Sequence, residues 1–246
     1  MGILYHFGRY SLFMTRVFGK STKPQVVFKQ IFTEMGLLGI SSIGIIVIIS
    51  FFMGAVTTLQ TAYNFALPYI PKYIIALVTR DSVFLEFSST MICLILAGKT
   101  GSQIASEIGA MRITEQIDAL ELMGVNSANF LALPKIIGLM FIVPFLTIIS
   151  MGTGVFGGWV AGVVSGTVQS ADYLQGIFYA FVPYYIFYSI IKSVVFVFII
   201  TSIAAYYGYT VSGGSLEVGR SSTKAVVASC VLILIFDLIL TQLILP

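Results

Sequence analysis

Three ionisable residues of this 246-residue chain lie inside stretches that are otherwise apolar. Lys192 and Asp237 lie near the middle of two long hydrophobic segments, and Glu86 lies near the start of a third. A lone charge at the centre of a bilayer costs about 2.5–3.5 kcal/mol on insertion scales, so such charges usually pair or take part in ion movement. We predict that Lys192 and Asp237 form an ion pair or share a polar network. Whether that pair only holds two helices together or relays protons is left open.

The residue types that commonly perform catalysis are scarce. His6 is the only histidine, so neither a histidine metal site nor a Ser-His triad can form. Cys93 and Cys230 lie in apolar runs, which is typical of small buried hydrophobic residues. We therefore expect no catalytic residues and no metal site in this chain.

Two glycine-containing segments resemble nucleotide-binding motifs in their residue types but not in their context. Gly98-Lys99-Thr100 resembles the end of a phosphate-binding loop, but that motif needs a glycine where this chain has Cys93. The segment 152–157 matches a dinucleotide fingerprint, yet it lies in an uncharged hydrophobic run without a strand before it. The sequence thus indicates no cofactor or nucleotide site of its own.

The longest polar run, Ala97–Gly124, separates two apolar segments. It carries six of the 23 charged residues, namely Lys99, Glu107, Arg112, Glu115, Asp118 and Glu121. The last three recur every three residues beside an apolar stripe of Ile113, Ile117 and Leu120, so one helical face is acidic and the other can pack. We predict a helix over about 102–124 that docks on a partner protein, broken or bent at Gly109 and ended by Gly124 with Asn126. A solvated connector is the alternative.

The composition indicates which elements position these residues. The chain is 58% hydrophobic and 9% charged, against about 25% charged in soluble domains, and its mean hydropathy is +1.00. The bilayer is therefore the expected solvent, and the net charge of +3 is too small to indicate nucleic acid. We predict an all-α polytopic membrane protein with an N-terminal segment, 1–34, and a five-span domain, 35–246.

The predicted spans follow from long uncharged runs that are bounded by polar residues or proline. They are Gly36–Gln60, about Val83–Gly98, Lys135–Gly166, about Gly176–Tyr206 and Ala225–Leu245. Residues 61–71 are predicted to be a loop or a partly inserted segment, and residues 207–224 a polar loop. Lys72, Arg80 and Asp81 are predicted to mark the water side of the second span. In the third span, glycines at four-residue intervals (Gly154, Gly158, Gly162 and Gly166) predict close approach of another helix.

An amphipathic helix is predicted before the first span, over residues 3–20. Ile3, Phe7, Tyr10, Met14, Val17 and Phe18 recur at helical spacing, while His6, Arg9, Arg16 and Lys20 share another face. Such a helix suits an anionic membrane surface, although packing on protein is the alternative. With five spans, ten of the thirteen Lys and Arg residues fall on one side, which places the N-terminus in the cytoplasm and the C-terminus outside.

Several stretches resemble the signature of the MlaE-type permeases, which are membrane subunits of lipid ABC transporters associated with MCE proteins. The similar stretches are Ala97–Ser102, Glu107–Leu120, Met123–Val125, Ile191–Phe196 and Val218–Val227. Two positions depart from the family pattern: Ser88-Ser89 replaces a Gly-Pro pair, and Asn126-Ser127 replaces Asp-Pro. The likeness covers about residues 25–245.

The resemblance implies a permease that moves phospholipid between the bacterial inner membrane and an MCE-protein pathway to the outer membrane. It implies a homodimer, two ABC ATPase subunits that bind ATP and Mg, an MCE-domain protein on the outer side, and a regulatory subunit in some systems. Glu107, Arg112, Glu115, Asp118 and Glu121 would then belong to the helix that couples to the ATPase. The candidates for the lipid cavity are Leu59, Gln60 and Glu86.

Two other functions compete with this interpretation. An ion-gradient-driven secondary transporter would use Lys192 and Asp237 as its relay and would need no ATPase. An intramembrane enzyme would need a reactive cluster, which one histidine and no paired carboxylates within a span do not provide. The direction of transport and the lipid head group are not determined by the sequence.

Overall fold

The computed structural model describes residues 3–19, 24–65 and 71–244, and this part of the chain is α-helical without any strand. The predicted fold class is therefore confirmed. The α-helices, in chain order, are α1 Ile3–Val17, α2 Pro24–Glu34, α3 Ile43–Asn64, α4 Tyr73–Ser82, α5 Ile92–Leu96, α6 Ser102–Ile113, α7 Gln116–Leu122, α8 Ser127–Val164, α9 Ser170–Phe178, α10 Tyr184–Tyr209 and α11 Ser215–Ile244. Lys20, Pro68 and Leu245, which the predictions included, lie outside the described residues.

Five continuous helical stretches in the described part are long and apolar enough to cross a membrane, as predicted. They are Val26–Asn64, Tyr73–Ile113, Ser127–Val164, Tyr184–Tyr209 and Ser215–Ile244. The first two stretches join several α-helices through short π-helical segments, Met35–Gly39, Val83–Met91 and Ala97–Gly101, in which the hydrogen bonds skip one residue more than in an α-helix.

Several predicted bounds of the spans were wrong. The second helical stretch begins at Tyr73 rather than Val83, because Arg80 is buried within it instead of marking water. The fourth begins at Tyr184 rather than Gly176, since α9 ends at Phe178 and a turn follows. The fifth begins at Ser215, so most of the predicted 207–224 loop is helix, and α3 continues to Asn64.

The chain forms two compact units. The first contains Met1–Ser41, Cys93–Val143 and Val195–Gln242. In it α1 packs on the end of α10: the Tyr10 hydroxyl donates to Ser202 at 2.8 Å, and Phe13 packs against the rings of Tyr206 and Tyr209. The amide of Asn129 donates to the carbonyl oxygen of Val17 at 2.6 Å, which fixes the end of α1.

The second unit contains Ser42–Ile92, Pro144–Val194 and Leu243–Pro246, and glycines bring its helices close together. A β-carbon at Gly54 would collide with the carbonyl of Gly154, and one at Gly158 would collide with the hydroxyls of Thr58 and Tyr173. The predicted close approach is therefore confirmed along α8. The last glycine of the series, Gly166, instead follows α8 in a turn with φ +69°.

Candidate functional site

The predicted coupling segment consists of two helices rather than one. α6 ends at Ile113, and Glu115 adopts a left-handed conformation with φ 59° before α7 begins. Gly109, the predicted bend, is instead buried inside α6, where a β-carbon would meet Val218 at 3.0 Å. The prediction of a single helix was therefore wrong, because the chain breaks at Glu115. Gly109 does not bend the helix and instead allows close packing against Val218.

Glu107, the first predicted coupling residue, takes part in an internal ion-pair cluster. The Lys135 ammonium lies 2.9 Å from the Glu107 carboxylate and 2.7 Å from Glu34, and the Lys135 side chain is 3% exposed. These three residues come from α6, α8 and α2. The cluster therefore joins three helices, and the sequence did not identify Glu34 or Lys135 as partners.

Arg112, Asp118 and Glu121 form a polar network at the corner between α6 and α7. Arg112 pairs with Asp118 at 2.6 Å, and its guanidinium lies 6.0 Å from the centre of the Tyr209 ring. The Glu121 carboxylate accepts hydrogen bonds from Ser127 and Tyr209, both at 2.8 Å. These bonds favour the charged form, so they hold the pKa of Glu121 below its usual value.

The solvent-facing surface of α7 and of Glu115, the residue before it, combines acidic with apolar side chains. Glu115, Asp118 and Glu121 are exposed, while Ile117 is fully buried on the opposite face. At the end of α7, Leu122 is 90% exposed and is followed by an exposed Met123. Exposed large apolar side chains beside charges are characteristic of a protein-binding surface.

In the second unit, Lys192 pairs with Glu86. The ammonium lies 3.0 Å from the carboxylate, and Lys192 is 0% exposed whereas Glu86 is 42% exposed. Thr90 donates a further hydrogen bond to Glu86 at 3.1 Å. The pair therefore presents one carboxylate edge to the outside and buries its cation. Asp237 belongs to the first unit, and its pairing with Lys192 stays a prediction.

Leu59 and Gln60, the other predicted cavity residues, lie on α3 with exposed side chains. Among the described residues, no hydrogen bond links Gln60 to Glu86. Leu59 belongs to an exposed apolar stripe along α3 that also includes Ile45, Ile48, Phe52, Val56 and Tyr63. The structure thus places the three cavity candidates in the same unit, on two helical segments that contact each other.

Arg80 is a buried residue that the sequence interpretation misplaced. Its guanidinium donates to the carbonyl oxygens of Ile177 and Tyr179 at 2.6 and 2.9 Å and pairs with Asp81 at 2.8 Å. The carbonyl groups belong to the end of α9 and the turn after it, where Ala180 has φ 47°. Arg80 therefore satisfies the backbone at the end of α9.

The residues of the apparent phosphate-binding motif have a structural role. Gly98, Lys99 and Thr100 lie in a π-helical segment rather than a loop, and the Lys99 ammonium donates to the carbonyl oxygen of Ser41 at 2.6 Å. In the described ranges, no group of three or more His, Cys, Asp or Glu residues is arranged to hold a metal ion.

Comparison with known proteins gives consistent matches over nearly the whole chain. The family model described as Permease MlaE matches residues 31–243. A probable ABC transporter permease protein of Rickettsia bellii is 35% identical over 236 residues, which cover 96% of this chain and 91% of that protein. Similar proteins with the same description occur in Synechocystis (31% identical, covering 85% and 80%) and in Porphyra purpurea (33% identical, covering 79% and 73%).

Proposed function

The chain belongs to the MlaE family of ABC transporter permeases, and from that premise we propose that it moves phospholipid between the bacterial inner membrane and a pathway built on an MCE-domain protein. Two ATPase subunits would supply the energy, with ATP and Mg bound on those chains. A regulatory subunit would be an optional addition. The exposed surface of α7 is the observation that carries this proposal.

The ATPase would dock on α7, since its outer face is acidic and its end is apolar. Leu122 and Met123 would enter a pocket of the ATPase, and Glu115 and Asp118 would meet basic side chains around it. When ATP closes the ATPase pair, α7 would be displaced. The ion pairs of Lys135 would carry that displacement from α6 to α2 and α8, because one buried cation binds carboxylates of two helices.

A phospholipid would find complementary chemistry in the second unit. The exposed apolar stripe of α3, including Leu59, suits acyl chains. The half-exposed carboxylate of Glu86, together with Gln60, suits the polar head group. The buried Lys192 would hold the Glu86 carboxylate in position, which is a positioning role.

A second copy of the chain would complete the transporter. Only 11% of the apolar 18-residue part of α11 is buried, which is the lowest share among the five candidate spans. Its exposed side chains include Val227, Val231, Leu234 and Leu238, which recur every three or four residues and form one apolar face. In the proposed homodimer this face would contact the other copy.

The proposed orientation follows the distribution of basic residues. The N-terminus and α7 would lie in the cytoplasm, where an ATPase can reach them, and the C-terminus would lie in the periplasm. The ion-gradient alternative is not favoured, because the chain belongs to a family of ABC transporter permeases.

Co-purification of the ATPase with full-length variants tests the proposal. We expect Glu115→Lys/Asp118→Lys to reduce ATPase capture by about tenfold or more, since both changes reverse charge on the proposed docking face. The matched control is Asp172→Lys/Glu217→Lys, which makes the same charge change on α9 and α11 and should retain capture. If the control loses the ATPase instead, docking on α7 is refuted and the start of α11 is the docking surface.

A further inference from the structure

We propose that α1 and the end of α10 form a binding site for the phosphate group of an anionic phospholipid, separate from the transport path. The two helices enclose an open pocket of about 210 Å³. Its lining residues are Arg9, Leu12, Phe13, Arg16, Tyr209 and Thr210. All of them belong to the first unit.

The chemistry of the pocket suits an oxyanion. Arg9 and Arg16 are seven residues apart on α1, which is about two helical turns and about 10 Å along the axis. Both side chains are exposed, and neither forms an ion pair with a carboxylate among the described residues. Guanidinium groups bind phosphate oxygens through pairs of hydrogen bonds, so two of them can hold a phosphodiester from both sides.

The walls of the pocket are held in place before any ligand binds. Tyr10 is hydrogen-bonded to Ser202, and Phe13 packs on the Tyr209 ring at 5.1 Å between ring centres. At the end of α1, the amide of Asn126 donates to the carbonyl oxygen of Arg16 at 2.9 Å. The arginine backbones are thus fixed, which lowers the entropy cost of binding.

The position of the pocket points to a membrane lipid as the source of the phosphate. Tyr209 is the last residue of a candidate membrane span, and Tyr5, Tyr10, Tyr206 and Tyr207 surround that end. Tyrosines collect at the depth of the lipid head groups. Leu12 within the pocket and Phe18, the residue after α1, are exposed and apolar, so acyl chains have a surface beside the arginines.

A second basic pocket is a weaker candidate. It is lined by Arg220 and Lys224 at the start of α11. The Arg220 guanidinium is already paired with Glu217 at 2.6 Å, so an anion would compete with a carboxylate for that group. Arg9 and Arg16 form no such ion pair among the described residues, although the charge of Arg16 acts on Glu121 from a longer distance, so they make the better site.

Native mass spectrometry of the purified full-length chain, titrated with dioleoylphosphatidylglycerol, tests the site. We expect Arg9→Gln/Arg16→Gln to weaken the tightest phosphatidylglycerol binding by about tenfold, because two charge-assisted contacts are lost. Arg9→Lys/Arg16→Lys keeps the charge but loses the paired hydrogen bonds, and it should weaken binding by about threefold. Binding of phosphatidylcholine should change little in either variant.

The control variant Lys29→Gln/Lys72→Gln removes two exposed positive charges outside both pockets, so it should change binding by less than about twofold. Equal losses in the control and in Arg9→Gln/Arg16→Gln would overturn the proposal, since attraction by net charge would then explain both. Displacement of the lipid by an equal concentration of glycerol phosphate would overturn the lipid assignment in favour of a soluble phosphate ligand.

Capture of the ATPase by the arginine variant gives a third outcome that would contradict the proposal. If Arg9→Gln/Arg16→Gln binds phosphatidylglycerol normally but no longer captures the ATPase, the arginines belong to a protein interface. The lipid measurement uses the permease chain without its ATPase, so its failure is distinguishable from a failure of the transport proposal.

Discussion

At the scale of single residues, the ion pairs differ in how far water reaches them. Arg220 and Glu217 are largely exposed, and such pairs contribute at most about 1 kcal/mol to stability. Lys135 is buried between two carboxylates, Glu34 and Glu107, which belong to different helices. Removing this cation would leave two negative charges facing each other inside the first unit.

We therefore expect Lys135→Met to lower the free energy of unfolding by about 3 kcal/mol, the lower end of the range for breaking a buried pair, because Glu107 is half exposed. Thermal unfolding in detergent measures this loss. The control, Lys29→Met, removes an exposed lysine of α2 and should change stability by less than about 0.5 kcal/mol.

Restoring the charge balance provides the second arm of this test. The triple variant Lys135→Met/Glu34→Gln/Glu107→Gln removes the two facing carboxylates and should recover at least half of the loss. If Lys135→Met and Lys29→Met are equally stable, the ion pairs of Lys135 do not contribute to the stability of the protein.

The sequence identified the charged residues at this scale but not their partners. Glu86, Lys192 and Asp237 were recognised because charges are rare in apolar runs. The pairing of Lys192 with Glu86, 106 residues away along the chain, depends on how the helices pack. For the same reason Glu107 was assigned only to the coupling surface, although it binds Lys135.

At the scale of the helices, glycines decide how closely α3 and α8 approach. Gly157 and Gly152 both lie inside α8, yet their surroundings differ. A β-carbon at Gly157 would collide with the carbonyl oxygen of Phe51, whereas a β-carbon at Gly152 would meet no atom within 4 Å. The two positions therefore form a matched pair that separates packing from helix propensity.

We expect Gly157→Ala to destabilise the protein by about 2 kcal/mol, since the backbones of α3 and α8 would have to separate. Gly152→Ala should instead stabilise it by about 0.5 kcal/mol through the higher helix propensity of alanine. Melting temperatures of both variants in the same detergent provide the comparison. A loss of stability at Gly152 as large as that at Gly157 would show that the contact with Phe51 is not the cause.

The sequence predicted helices well where hydrophobic runs are long and poorly where a helix is interrupted. The break between α6 and α7 falls at Glu115, a residue for which a left-handed conformation costs about 1 kcal/mol or more. Gly109 and Gly124 were the natural candidates, but Gly109 is used for packing against Val218. Tertiary contacts thus placed the break where local preference alone would not.

At the scale of the whole molecule, the number of spans followed directly from composition. Long uncharged runs can be counted without any knowledge of packing, so all five were found. The division into two compact units could not be predicted, because each unit is assembled from three separate segments of the chain.

Membership of an ABC permease family leads to a prediction about energy supply. In liposomes that contain the permease and a partner ATPase, transfer of the proposed substrate, tested as a fluorescent phospholipid, should require ATP and continue after an uncoupler collapses the proton gradient. The control is an ATPase that binds the permease but cannot hydrolyse ATP, which should reduce the rate to background. Transfer that stops with the uncoupler but continues without ATP would support the ion-gradient mechanism instead.

The π-helical segment Val83–Met91 affects which residues of this chain align with those of its relatives. Glu86 lies inside the segment, and the wider turn accommodates one residue more than an α-helical turn would. Each residue rotates an α-helix by about 100°, so deleting one residue there would turn Glu86 away from Lys192. The segment therefore behaves as a one-residue insertion within a helix. In an alignment that opens no gap there, a relative with a regular α-helical turn would have the residue that corresponds to Glu86 displaced by one position.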